Sequence, residues 1–215
     1  MKNIQSVLFD LDGTLTDPFV GITASIKYAL EKMNRPIPDE KTLGAFIGPP
    51  LPYSFKRYCG MTEDEAQQAL SLYREFYPKG GVYELTVYDG IIDMLKKLKS
   101  AGKRLFIATS KPEKFAEMIA DKFGFSDYLD GVAGASFDLS RNEKTDVIRY
   151  CLERFKVDNK TAVMVGDRDY DVLGAKDNGM ACIGVLYGYG KEEEFKQAIF
   201  TAKTPLEVAD IILNR

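Results

Sequence analysis

FDLDGTLTD, residues 9–17, ends the first apolar run of this 215-residue chain. The run itself, Ser6–Phe9, predicts a short strand buried on both faces. Asp10 and Asp12 follow at once, although Asp is disfavoured in strands and is costly to bury without a partner. Two explanations fit these residues. Either the carboxylates carry chemistry, or Asp12-Gly13 is only a turn and Asp10 caps a following helix.

Four further apolar runs recur along the chain, at 104–108, 131–135, 162–165 and 181–186. They are nearly continuous, which is typical of strands buried on both faces of a parallel sheet. Apolar stripes at helical spacing lie between them, at 91–98, 115–123 and 147–155. This alternation predicts an α/β fold, a Rossmann-like doubly wound parallel sheet with right-handed crossovers.

Residues 17–83 interrupt the alternation, because they contain helical patterns and proline-rich breaks but no convincing strand. Thr62 with Glu65 three positions later is a capping-box signature that opens one of these helices. We therefore predict a catalytic core formed by residues 1–16 and 84–215, with an inserted α-helical cap domain at 17–83. An insertion directly after a first strand lies at the edge where open α/β sheets bind ligands, so we expect it to act as a lid.

The composition excludes several functional classes. The chain contains no histidine, so a Ser-His-Asp triad, a Cys-His pair and a His-ligated metal are all impossible. Its 29 Lys+Arg and 32 Asp+Glu give a net charge of −3, which argues against binding to nucleic acid. The three cysteines form no disulfide framework or CxxC motif. No signal peptide or membrane span is recognisable, so we expect a cytoplasmic protein with no membrane partner.

A second acidic segment, GDRDYD at residues 166–171, follows another predicted strand. If the two strands lie side by side, Asp167 converges on the first acidic pair, and clustered carboxylates repel each other unless a cation neutralises them. Oxygen ligands without His or Cys indicate a hard metal, and Mg²⁺ suits a site that also handles phosphate. Asp167 is the predicted ligand, with Asp171 behind it as an orienting group.

Two polar positions complete the candidate site. Ser110 and Glu113 form a second capping-box pattern, so Thr109 and Ser110 would sit beside a helix N-terminus that can bind phosphate. The alternative is that Thr109 only ends a strand and Ser110 only caps the helix. Lys144 lies in the first turn of a later helix, where it is either a cation of the site or an ordinary solvated side chain.

The four segments in this order, FDLDGTLTD, ATSKP at 108–112, Lys144 and GDRDYD, closely resemble the haloacid dehalogenase superfamily. The resemblance is to its phosphatase branch, and the helical insertion is similar to the small cap of phosphoglycolate phosphatase-like members. The resemblance to the superfamily spans nearly the whole chain. One departure is that Thr145 follows Lys144 where many phosphoglycolate phosphatase relatives have Pro, which leaves 5′-nucleotides and sugar phosphates open as substrates.

The resemblance implies a role for each residue. Asp10 would be the nucleophile that forms an aspartyl-phosphate, and Asp12 the general acid and then the general base. Mg²⁺ would be held by Asp10, by the backbone carbonyl of Asp12 and by Asp167. The transferring phosphoryl oxygens would be bound by Thr109, by Lys144 and by backbone amides near Asp12 and Ser110.

The resulting prediction is an Mg²⁺-dependent phosphatase that hydrolyses a small phosphorylated metabolite, as a monomer or a weak homodimer. Two alternatives remain at this point. A sugar phosphomutase would use the same aspartyl-phosphate and return the phosphoryl group to a sugar. A non-catalytic relative would bind metabolites without turnover, although it would not need both acids of the first motif.

Overall fold

The structure, a computed structural model, describes residues 4–138 and 140–214. The strands within these ranges are Ser6–Phe9 (β1), Thr16–Asp17 (β2), Thr86–Val87 (β3), Arg104–Pro112 (β4), Gly131–Ala135 (β5), Ala162–Gly166 (β6), Ala181–Val185 (β7) and Phe200–Ala202 (β8). The α-helices are Phe19–Lys32 (α1), Glu40–Gly44 (α2), Leu51–Cys59 (α3), Glu63–Phe76 (α4), Ile91–Ser100 (α5), Glu113–Lys122 (α6), Lys144–Phe155 (α7), Asp169–Asp177 (α8) and Pro205–Leu213 (α9).

Six of the strands form one parallel sheet in the order β5-β4-β1-β6-β7-β8. The chain builds outward from β1 to β4 and β5, and then continues on the other side of β1 with β6, β7 and β8. The carboxyl ends of β1, β4 and β6 therefore meet where the strand order reverses, which is where open α/β sheets bind ligands. The predicted α/β fold is confirmed.

Apolar side chains on the strands hold the helices to the sheet. Leu8, Phe106, Met164 and Cys182 are buried in one core cluster that also includes Val147 of α7. Because side chains alternate along a strand, their neighbours face the opposite side of the sheet. Most of those neighbours are also fully buried, including Val7, Ile107, Val165 and Ile183, as expected for a sheet that is covered on both faces.

The chain divides into two compact units, one formed by Met1–Asp17 with Val87–Arg215 and the other by Pro18–Thr86. The second unit contains helices α1 to α4. Its helices pack through aromatic pairs, including Tyr28 stacked on Phe76 at 4.9 Å and Phe46 edge-on to Phe55 at 5.4 Å between ring centroids.

The predicted capping box at the start of α4 is confirmed. The Glu65 amide donates to Thr62 Oγ1 at 3.3 Å, and the Thr62 amide donates to Glu65 Oε2 at 2.9 Å.

Thr62→Ala removes one of these bonds, so we expect the free energy of unfolding to fall by about 1 kcal/mol. Urea denaturation measures the change. Thr62→Ser keeps the cap and serves as the control, and equal stability of the two variants would contradict this role for Thr62.

Two features of the sheet differ from the prediction. β8 is missing from the sequence prediction, because three residues are too short to give a recognisable period. β4 continues to Pro112 instead of ending near Ala108, because Pro112 pairs with Ala135 of β5 beyond a bulge. Among the described residues, no helix is long and apolar enough to cross a membrane.

Candidate active site

The segment after β1 folds into a tight turn at the end of the strand. Asp10 is 6% exposed, and its Oδ1 accepts a hydrogen bond of 2.8 Å from the Leu11 amide. Gly13 has a φ of +88°, a conformation that favours glycine. A side chain there would also collide with Asp167, since a Cβ would lie 2.3 Å from Asp167 Oδ2. The glycine thus lets the first motif approach the motif that follows β6.

Three carboxylates converge at this edge of the sheet. One oxygen from each of Asp10, Asp167 and Asp171 lies within 4.8 Å of the other two, and all three side chains are buried. The Thr14 hydroxyl donates to Asp167 Oδ1 at 3.3 Å. The prediction that acids from two strand ends converge is therefore met in the structure. Asp171 contributes a carboxylate to the cluster, whereas the carboxylate of Asp12 lies elsewhere.

Lys144 supplies a buried cation to this cluster. Its Nζ lies 2.8 Å from Asp10 Oδ1 and 2.8 Å from Asp171 Oδ1, and it donates to the Ala108 carbonyl at 3.3 Å. Burial alone would lower the pKa of Lys144, but the two carboxylates raise it above its ordinary value, so the ammonium stays charged. The alternative of a solvated surface lysine is wrong. Burial is tolerated because two acids compensate the charge.

Asp12 has a different partner, which the sequence analysis did not identify. Its Oδ2 accepts a short hydrogen bond from Lys111 Nζ, and both side chains are largely buried. Burial raises the pKa of Asp12 above its ordinary value, while Lys111 opposes the rise. Asp12 and Lys111 are 99 residues apart, so no local pattern joins them.

Two acids of the cluster, Asp167 and Asp171, have raised pKa values, so they resist ionisation when no metal ion is bound. Burial raises the pKa of Asp167 to about 8, with the Asp171 and Asp10 carboxylates adding to the rise. Burial also raises the pKa of Asp171, to about 6, although Lys144 opposes this. The site holds four carboxylates, Asp10, Asp12, Asp167 and Asp171, against two ammonium groups. If all four carboxylates are ionised, the site carries two excess negative charges, and this charge and the all-oxygen donor set fit a divalent hard cation.

The two polar positions after β4 are placed differently from the prediction. Thr109 is buried, and its hydroxyl accepts the Lys111 amide at 3.3 Å. The capping box of Ser110 with Glu113 is wrong. Ser110 belongs to β4, α6 begins after Pro112 without a side-chain cap, and the Glu113 carboxylate accepts the Gly134 amide at 3.1 Å. Extension of the strand through the bulge takes Ser110 out of the helix start.

A tyrosine segment after β7 also contacts the site and was missed by sequence reasoning. The Tyr189 amide donates to Asp167 Oδ2 at 2.8 Å, and its hydroxyl forms a short hydrogen bond to Asp17. Tyr88 packs edge-on against Tyr187 at 5.2 Å between ring centroids. Burial raises the pKa of Tyr88, and nearby carboxylates add to this, so its hydroxyl remains protonated. The sequence pattern that points to this segment is Tyr187-Gly188-Tyr189-Gly190, which follows the end of β7.

The raised pKa of Asp167 predicts how metal-free protein responds to pH. Between about pH 5 and pH 8 native Asp167 keeps its proton, whereas the same carboxyl in the unfolded chain is ionised. The native state therefore binds more protons, and stability must fall as pH rises. We expect the free energy of unfolding in EDTA to drop by on the order of 2 kcal/mol over this range.

Urea denaturation at several pH values measures this slope. Asp167→Asn is the matched control, because the amide does not titrate and the slope should become flatter. A stability that rises from pH 5 to pH 8, or an unchanged slope in the variant, would contradict the assignment to Asp167.

Comparison with known proteins identifies the family. A family model described as haloacid dehalogenase-like hydrolase matches residues 7–185. The chain belongs to the haloacid dehalogenase-like hydrolase family. The match runs from β1 through β7, so it contains every one of the four motifs. The predicted family and enzyme class, a hydrolase of the phosphatase type, are confirmed.

Individual relatives of this hydrolase carry several names. A protein named 5′-nucleotidase from Pseudomonas aeruginosa is 44% identical over 89% of this chain and 86% of its own length. The tyrosine-protein kinase PtkA of Mycobacterium tuberculosis is 37% identical over 96% of this chain and 70% of its own length. A crystal structure of a predicted phosphatase from Clostridium acetobutylicum is 42% identical, covers 100% of both chains and has a TM-score of 0.95.

Proposed function

We propose that this hydrolase is a Mg²⁺-dependent phosphatase that cleaves a small phosphate monoester through an aspartyl-phosphate on Asp10. The observation that carries the proposal is the buried contact of Lys144 with Asp10 at the edge of an acidic cluster. An isolated acid in a turn would need neither a buried ammonium group nor two further carboxylates. A site that handles a dianionic phosphoryl group needs both positive charge and a nucleophile.

In the first half-reaction Asp10 attacks phosphorus, and the bond from phosphorus to the ester oxygen breaks. Lys144 and the Leu11 amide both hold Oδ1 of Asp10, and we assign the attack to Oδ2. Asp12 gives its proton to the leaving oxygen, so the alcohol departs neutral. Lys144 and the hydroxyl of Thr109, with backbone amides near Ser110, would stabilise charge on the phosphoryl oxygens as it develops.

In the second half-reaction Asp12 acts as a base. It takes a proton from water, the resulting hydroxide attacks phosphorus, and the bond from phosphorus to Asp10 breaks. Inorganic phosphate leaves, and both aspartates return to their starting states. The nucleophile and the acid-base group are thus separate carboxylates, each with its own lysine partner.

The cluster formed by Asp10, Asp167 and Asp171, with the Asp12 carbonyl nearby in sequence, would hold the Mg²⁺. When bound, the ion supplies charge neutralisation to the nucleophile and the phosphoryl oxygens. Thr14 and the Tyr189 amide keep Asp167 oriented toward the cluster through their hydrogen bonds. We propose that Asp171 both contributes to the metal cluster and holds Lys144. Its Oδ1 lies 2.8 Å from Lys144 Nζ, and its Oδ2 accepts the Arg168 amide at 3.1 Å.

We further propose that the helical unit, Pro18–Thr86, acts as the cap that limits substrate size. It is inserted directly after the first motif, and its length is that of an independent helical subdomain. A cap of this kind favours small metabolites over polymers. The cytoplasmic location and the monomeric or weakly dimeric state also stay predictions.

A phosphate-release screen tests the function. Purified protein with Mg²⁺ is given p-nitrophenyl phosphate, 5′-nucleoside monophosphates, sugar phosphates and phosphoglycolate, and free phosphate is measured. The nucleotides come first because a relative that is 44% identical is named 5′-nucleotidase. We expect turnover that EDTA abolishes and Mg²⁺ restores. Absence of phosphate release from every ester would overturn the proposal.

The same panel separates the alternatives. Conversion of glucose 1-phosphate to glucose 6-phosphate, without free phosphate, would indicate a mutase. Binding of metabolites without turnover would indicate a non-catalytic relative. Transfer of phosphate from ATP to a tyrosyl peptide would indicate an activity like the one in the name of the kinase relative.

A further inference from the structure

Lys111 stands apart from the residues used so far, because it is a second buried lysine beside the proposed acid-base group. Its side chain is 4% exposed and that of Asp12 is 13% exposed. A lysine loses considerable side-chain entropy and hydration when it is buried. Burial is tolerated where the charge has a specific partner, and the Oδ2 atom of Asp12 provides one here.

The two oxygens of Asp12 are in unequal surroundings. Oδ2 accepts the hydrogen bond from Lys111, whereas Oδ1 is buried and has no hydrogen-bond partner in the described part of the chain. A carboxyl group held at one oxygen can rotate little, so the other oxygen has a fixed position. Proton transfer depends on such a position, because donor and acceptor must lie within hydrogen-bond reach.

The backbone around Lys111 forms a bulge, and this bulge places the Lys111 side chain beside Asp12. Thr109 of β4 pairs with Gly134 of β5, and Pro112 pairs with the next residue, so Ser110 and Lys111 are extra residues in a bulge. Bulges re-aim side chains next to active sites. Gly134 permits the bulge, since a Cβ there would lie 2.4 Å from Glu113 Cα and 2.7 Å from the Lys111 carbonyl oxygen.

We propose that Lys111 is a positioning residue that fixes the Asp12 carboxyl group for proton transfer to the leaving oxygen and from the attacking water. It acts through Asp12 and takes no part in bond making at phosphorus. Its role is therefore separate from that of Lys144, which contacts Asp10 and Asp171. This inference rests on the proposed function and adds a residue to its acid-base step.

Two aryl esters of similar shape provide the test. p-Nitrophenolate leaves readily without a proton, whereas the phenolate of phenyl phosphate needs one, so only the second ester depends strongly on the general acid. The measured quantity is kcat/KM, which covers the steps up to loss of the leaving group. For Lys111→Met we expect kcat/KM to fall about 100-fold with phenyl phosphate and less than about 10-fold with p-nitrophenyl phosphate.

The second half-reaction gives an independent readout. If Asp12 is no longer held, hydrolysis of the phospho-enzyme slows, and p-nitrophenyl phosphate should give a burst of p-nitrophenolate close to one equivalent of enzyme. Lys114→Met is the matched control, because Lys114 is exposed on α6 three residues away and should leave both rates unchanged. If the methionine variant does not fold, Lys111→Gln takes its place in the same comparison of the two esters, because glutamine retains a hydrogen-bond donor on a side chain of similar length.

Equal losses with the two esters, or no loss with either, would overturn the positioning role. A rise in KM shared by both esters, with the ratio of their kcat/KM values unchanged, would overturn it as well, since Lys111 would then only bind substrate. Failure of the proposed function would look different, because the unmodified protein would hydrolyse neither ester.

Discussion

Asp10→Asn is expected to lower kcat by at least about 10⁴-fold with every ester that the protein hydrolyses. An amide oxygen is a poor nucleophile, so the aspartyl-phosphate does not form. The variant should still fold, because the amide has nearly the same shape and Oδ1 can still accept from Lys144 and from the Leu11 amide. The loss should therefore appear in kcat and not in the circular dichroism spectrum.

A phosphate-release assay under saturating Mg²⁺ measures this effect. Asp93→Asn on α5 is the matched control, since Asp93 is an exposed aspartate outside the site and its change should leave kcat as it was. Activity of Asp10→Asn within about tenfold of the unmodified protein would exclude Asp10 as the nucleophile. The assignment of Lys144 as a counter-charge to a reacting carboxylate would then fail as well.

Lys144→Met is expected to have the second largest effect, on both activity and stability. The ammonium lies 2.8 Å from Asp10 and from Asp171, and removal of one partner from a buried ion pair usually costs about 3–5 kcal/mol. On the proposed function kcat should also fall by on the order of 10³-fold, because a positive charge at the phosphoryl oxygens is lost.

The stability loss should depend on pH in a defined direction. Lys144 opposes the rise in the pKa of Asp171, so its removal raises that pKa further above about 6. Ionisation of Asp171 then becomes more costly, and the native state of the variant holds its proton to higher pH. Stability measured in EDTA should therefore fall more steeply from pH 5 to pH 8 in Lys144→Met than in the unmodified protein.

Urea denaturation over this pH range tests the expectation. Lys176→Met on α8 is the control, because Lys176 is exposed and its change should shift neither the stability nor its slope. A Lys144→Met protein as stable as the unmodified one at pH 8 would contradict the ion-pair role, whatever its activity.

Much of the fold follows from local sequence. The apolar runs of β1, β5, β6 and β7 and the apolar stripes of α5, α6 and α7 predict their elements to within a few residues, because burial on both faces of a sheet requires continuous hydrophobicity. The capping box of Thr62 and Glu65 is also a local pattern, and it places the start of α4 correctly. β8 is too short for such a pattern to exist.

The candidate site likewise contains some residues that local sequence reveals and others that it does not. Asp10, Asp12 and Asp167 are recognisable in sequence because acids directly after buried apolar strands have no simple structural explanation. The sequence position of Lys144 fits both a site residue and a solvated side chain, since most lysines at helix starts are solvated. Its burial depends on Asp10 and Asp171, which come from distant parts of the chain.

From the amino-acid sequence alone one can predict the α/β fold, the inserted helical segment, the order of the motifs and the absence of any imidazole chemistry. These properties depend on residue type and spacing. Three features become visible only in the folded protein: Asp171 joins the acidic cluster, Ser110 lies in a strand, and Lys111 binds Asp12. The positions of Ser110 and Lys111 depend on the bulge between β4 and β5, whereas that of Asp171 depends on the pairing of β6 with β1. Contacts across about 100 residues leave no local periodicity to detect.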